Sequence, residues 1–127
     1  QVRVPWGNPV TLWLHHGVGS GVGVAAPLTK LERGSTGFDA DVFLMGHYHR
    51  RALASVDKLM VGKNGELEHR TAWLVCTGGY LRSYQDMIEG NYAEKALLSP
   101  ASLGGVVIRL RPWQYGKTRI GVEMWEY

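Results

Sequence analysis

Two short apolar runs, each ending in histidines, constrain this chain more than anything else in it. Val10-Thr11-Leu12-Trp13-Leu14 runs straight into His15-His16-Gly17, and Asp41-Val42-Phe43-Leu44-Met45 stops at Gly46 before His47-Tyr48-His49. Runs this short, rich in β-branched and aromatic residues, read as buried strands. Between them lie a glycine-rich loop, Gly17 to Gly23, and a helix-forming stretch, Ala25 to Arg33. Leu28 and Leu31 share one face of that stretch, and Gly34 is the expected C-cap. Apolar strands joined by a helix predict a βαβ crossover in a covered sheet. Parallel strands end at one edge of the sheet, and open α/β folds bind their ligands at that edge. The pattern therefore brings His15 together with His47 and His49 in space.

After Arg51 the patterning changes. Leu53 to Val61 and Glu68 to Cys76 read as paired strands joined through Lys63-Asn64-Gly65, because Asn-Gly suits a turn whose central residues take positive φ. Gly78-Gly79 ends that pair. Tyr80 to Pro100 is irregular and aromatic, with a short helical stretch expected near Tyr92 to Leu98. Val106 to Arg111 alternates, placing Val106, Ile108 and Leu110 on one face. Thr118 to Glu126 alternates likewise, with Ile120, Val122 and Met124 expected inward and Pro112 to Gly116 making the turn. The class is α/β: a βαβ unit followed by antiparallel hairpins, with no internal repeat and no linker. The first strand has no obvious partner earlier in the chain, which fits half of a larger sandwich.

Composition narrows the functional classes. No apolar run reaches the ~20 residues of a membrane-spanning helix, so no membrane partner is expected. Cys76 is the only cysteine and lies in an apolar run, so it reads as a small buried hydrophobe in a reducing, cytoplasmic setting. The net charge of +3 is mildly basic, without the clustered Lys and Arg of a dedicated nucleic-acid binder. The glycine loop lacks the Gly-x-Gly-x-x-Gly spacing of a dinucleotide fingerprint, since Val22 or Val24 stands where the third glycine belongs. Gly116-Lys117-Thr118 ends like a P-loop, but Arg111 replaces the upstream glycine.

What remains is imidazole chemistry. Neutral imidazole is a good ligand for zinc, manganese or iron. A glycine at a strand end lets the chain turn sharply, so His47 and His49 can converge on one side of the loop. His69 lies in a strand-like stretch and reads as structural or exposed.

A buried strand followed by Gly46-His47-Tyr48-His49 resembles the last motif of the calcineurin-like metallophosphoesterases. Leu14-His15-His16-Gly17 resembles the motif before it, and the region from Gly78 through Tyr84 to Gly104-Gly105 looks most like the phage and bacterial members. The resemblance covers nearly the whole chain but only the family's second half. It implies one partial domain over residues 1–127, the C-terminal half of an αββα sandwich. It implies two divalent metal ions (Mn, Zn or Fe), with His15 and His47 on one and His49 on the other. His16 and Arg50 would face the phosphate ester, Arg because its guanidinium can grip phosphate in a fork. The activity implied is hydrolysis of phosphate mono- or diesters by a hydroxide shared between metals about 3.5–4 Å apart. The basic charge and the phage-like wording favour nucleotide or nucleic-acid substrates.

The family's Asp-x-His, Gly-Asp and Gly-Asn-His motifs belong to its first half and are not in this sequence; Gly7-Asn8 is followed by Pro9. Asp39 and Asp41 precede the apolar strand; five residues at about 3.3 Å each put Asp41 roughly 17 Å from the histidine edge, and both are poor candidates to substitute. The missing half is expected in cis or on another chain. Two alternatives stay open: an inactive binding or structural module that keeps the fold, and a single-zinc site of His15, His47 and His49 with water in the fourth position.

Overall fold

The apolar runs become strands in the computed structural model, which describes residues 1–3, 5, 7–19, 23, 25–80, 103–112 and 118–126. β1 (Leu12–His15) and β2 (Val42–Met45) are joined by α1 (Ala26–Ser35) and pair in parallel, with Leu12 opposite Val42 and His15 opposite Met45. The expected βαβ unit is therefore present. β3 (Arg51–Val61) and β4 (Leu67–Thr77) form the expected antiparallel hairpin. β4 also lies parallel to β2, so the four-stranded sheet runs β1-β2-β4-β3. β5 (Gly104–Pro112) and β6 (Thr118–Glu126) make a separate two-stranded antiparallel sheet.

Side-chain alternation divides the four-stranded sheet into two faces. On one face Phe43, Met45, Ala72 and Leu74 pack with Leu31 of α1, and Trp13 and Val56 close over them. On the other, Val10, Val42 and Val75 meet Val122, with Val106, Ile108 and Ile120 beside it. The result is three layers: helix, four-stranded sheet, two-stranded sheet. Phe43, Val42 and Val75 have no exposed surface, so this central strand pair carries both cores. The described residues are thus mixed α/β, mostly strand, in two sheets. No helix among them is long and apolar enough to cross a membrane.

Several local expectations are corrected. Gly34 lies inside α1 rather than capping it. The helix ends at Thr36, whose N–H and hydroxyl both reach the carbonyl of Arg33, while Ser35 turns back onto the Glu32 carbonyl. In the β3–β4 turn only Gly65 takes positive φ (79°); Asn64 does not. Gly62 N–H bonds to Glu66 O and Gly65 N–H to Gly62 O, which is the three-residue loop with a left-handed glycine at its end. Met124 is 55% exposed although it pairs with Val106; burial along β6 stops at Val122. β1 pairs with no earlier strand among the described residues, and an isolated bridge joins Val2 to Val10 ahead of it. The expected Tyr92–Leu98 helix and most of the Pro112–Gly116 turn lie outside the described residues.

One carboxylate holds the starts of the three parallel strands. Asp41 accepts the Thr11 N–H at 2.7 Å on one oxygen. On the other it accepts Arg70 Nε and Nη2 at 3.0 and 2.8 Å. Arg70 also reaches Asp39 at 2.6 Å. The Asp41 side chain is only 15% exposed, so these bonds replace water that it has lost. Asp41→Ala should lower the unfolding free energy by about 1–3 kcal/mol in a denaturant titration, because Thr11 N–H and Arg70 both lose their acceptor.

Candidate functional site

The register that aligns His15 with Met45 delivers both histidine-bearing loops to one edge. Gly46 N–H continues the ladder by bonding to His15 O at 3.3 Å. The chain then turns at Gly17 and at His47. Gly17 is buried with φ 94°, and a Cβ there would stand 2.9 Å from His47 Cβ and 3.2 Å from Gly46 O. Only glycine fits, and its absent side chain is the space in which the two loops meet.

His47 and His49 both have left-handed backbones, φ 66° and 52°, and are the only non-glycine described residues that do. Tyr48 N–H bonds to Gly46 O at 2.8 Å, making His47 the centre of a three-residue turn of the strained positive-φ kind. Such residues cost about 1–3 kcal/mol each and persist only where surroundings over-determine them, as functional loops do.

The four edge histidines are placed unequally. His15 stacks on Trp13 with ring centroids 5.3 Å apart, and its Nδ1 accepts the Gly17 N–H at 2.8 Å. A nitrogen that accepts carries no proton, so in neutral His15 the proton sits on Nε2. Presenting Nε2 to a metal requires breaking that bond. His16 instead meets His47, ring centroids 5.2 Å apart at 67°. Two imidazoles on one tetrahedral zinc, each about 2.0–2.1 Å from it, have centroids about 5 Å apart, so this pair matches a shared ion in separation. His49 is exposed, its Cβ lying over the backbone of Gly79. No group of three His, Cys, Asp or Glu side chains placed to hold one ion occurs among the described residues. Only the His16–His47 pair has the separation of two ligands on one ion; His15 is engaged with Gly17 N–H and the Trp13 ring. Sequence spacing identified the edge but not the Gly17 N–H bond to His15 Nδ1.

Two arginines follow the second histidine loop. Arg50 precedes β3 and is half-buried. Arg51 pairs with Glu126 and with the Trp125 carbonyl, fastening the end of β6 to the start of β3. A shallow depression of about 300 Å³ opens at the strand ends, lined by His15, His16, Gly46 and Thr77 among others. A larger cavity of about 960 Å³ lies at the opposite edge, by Asp41, Trp73 and the β3–β4 turn, away from the edge histidines. His69 is exposed and borders that cavity. Cys76 has no exposed surface, and burial pushes its thiol above the ordinary 9.0 despite opposing backbone bonds from Gly78 and Thr77.

Comparison with family models, curated proteins and solved structures finds no match.

Gly17→Ala should destabilise the fold by about 1–3 kcal/mol in chemical denaturation, since both the positive φ and the contact with Gly46 backbone oppose a Cβ. Cys76 should resist iodoacetamide in the native protein near neutral pH and react on unfolding, followed by intact mass. Because the folded thiol keeps its proton to higher pH, its contribution to stability is intact below 9.0 and falls as pH rises beyond it.

Proposed function

We propose that this chain is the second half of a divalent-metal-dependent phosphoesterase of the calcineurin-like type. The observation that carries the reading is the convergence of two histidine loops, one after each parallel strand of a βαβ unit, at one edge of the sheet. His16 and His47 would hold one ion and His49 would donate to a second. His15 would orient the first loop through Gly17 rather than ligate. Arg50 makes no hydrogen bond or ion pair with a described residue, leaving its guanidinium for a phosphate oxygen. When bound, such ions supply Lewis acidity toward phosphoryl oxygens and activate water. The bridging carboxylate of such a site would come from the first half. Asp39 and Asp41 do not replace it, since both are engaged with Arg70. The substrate class is a phosphate mono- or diester, and the net charge of +3 is compatible with nucleotides or nucleic acid.

Zinc and manganese titrations by calorimetry, with elemental analysis after dialysis, test the reading. At least one zinc ion per chain should bind, and His47→Ala and His16→Ala should each weaken binding about tenfold or more, with His15→Ala closer to the parent. Two ions per chain would mean that a carboxylate comes from residues other than Asp39 and Asp41. One tightly held ion would favour the single-zinc reading. No binding of either metal would remove both. With bound metal, bis(p-nitrophenyl) phosphate is the probe of hydrolysis.

A further inference from the structure

The two histidine loops belong to different strands, yet one backbone carbonyl joins them. Val18 O lies two residues beyond His16. It accepts the Tyr48 hydroxyl at 3.1 Å and Lys30 Nζ at 2.7 Å. Tyr48 stands between His47 and His49, so a bond from its hydroxyl to Val18 ties the second loop to the first. Lys30, on α1, completes a triangle: its ammonium also sits 5.2 Å from the centroid of the Tyr48 ring, where a ring face attracts a cation. The Tyr48 ring is half-buried against the helix-side core and lies perpendicular to the His47 ring, centroids 5.6 Å apart.

This arrangement answers a question the histidines raise. Two left-handed residues within one short loop would relax unless something held the residue between them. Tyr48 is held at its N–H by Gly46 O, at its ring by Lys30 and the core, and at its hydroxyl by Val18 O. His16, His47 and His49 are thereby referred to one point, the Val18 carbonyl. Losing the Tyr48 hydroxyl leaves the His16–His47 separation to the close approach at Gly17 and the Gly46 N–H bond to His15 O; losing Lys30 removes the cation that holds the Tyr48 ring and the second donor to Val18 O.

We infer that Tyr48 and Lys30 are positioning residues that clamp the Val18 carbonyl and so set the His16–His47 spacing and the left-handed turn of the histidine loop. Their effect on metal affinity rests on the proposed metal-binding reading; their effect on ring spacing does not.

The test uses this chain with Tyr48→Phe, Lys30→Met and Lys30→Arg. Phe removes only the hydroxyl, Met keeps the alkyl stem without the charge, and Arg restores both a donor to Val18 and a cation over the ring. Two readouts are taken: the nuclear Overhauser contact between the His16 and His47 rings, and the zinc dissociation constant by calorimetry. Phe and Met should weaken or abolish the ring contact and raise the dissociation constant about tenfold, as orienting partners of ligands typically do. Arg should restore both, while the far-ultraviolet circular dichroism of all three matches the parent. An undiminished ring contact in both Phe and Met variants overturns the clamp. If the parent binds no zinc but the ring contact disappears in Phe and Met and returns in Arg, the clamp stands and the metal reading falls.

Discussion

The carboxylate of Asp41 is the interaction on which the rest depends. It joins β1 through Thr11, β2 through its own chain position and β4 through Arg70. Three parallel strands pinned at their starts have their ends fixed by length alone, at about 3.3 Å per residue. That is why the residues after β1 and β2 emerge level with each other. The same pin keeps Asp39, Asp41 and Arg70 at the edge remote from the histidines, where they are structural.

The two faces of the central sheet then do different work. The helix face is sealed by Phe43, Leu31 and Leu74, with Trp13 at its margin carrying the His15 ring. The other face is covered by β5 and β6, which Arg51 fastens beside the histidine edge. An arginine whose side chain is 7% exposed and hydrogen-bonded to both a carbonyl and a carboxylate sets the lateral position of the second sheet. The residues that position the edge are therefore drawn from every described element.

Much of this architecture was legible in the sequence because burial and period are local signals. The apolar runs of β1 and β2, the alternation in β5 and β6, and the hairpin turn at Lys63-Asn64-Gly65 each declared an element. Errors fell where the outcome depends on neighbours distant in the chain. Gly34 looked like a cap, but Thr36 supplies bonds that carry the helix past it. Met124 obeyed the alternation and stayed exposed because alternation predicts a face and not how far the cover extends. The insertion of β4 between β2 and β3 had no signal in any single segment. The histidine edge was legible as a place; the different surroundings of the His15 and His16 rings were not. Adjacent identical residues differ here in their neighbours: His15 meets Trp13 and Gly17 N–H, His16 the His47 ring.

The placement of β4 also bears on the order in which the structure can assemble. The β3–β4 hairpin closes a short loop and needs no other part of the chain, so it pays little loop-closure entropy. Each parallel pairing needs a longer excursion: β1 to β2 around α1, and β2 to β4 past the whole of β3. Low contact order favours early formation. On that argument the hairpin serves as the template on which β2 docks and then β1, leaving the edge strand that ends at His15 to arrive last. The edge that gathers the histidines would then be the final part of the four-stranded sheet to acquire its native spacing, and the first to lose it when the protein opens locally.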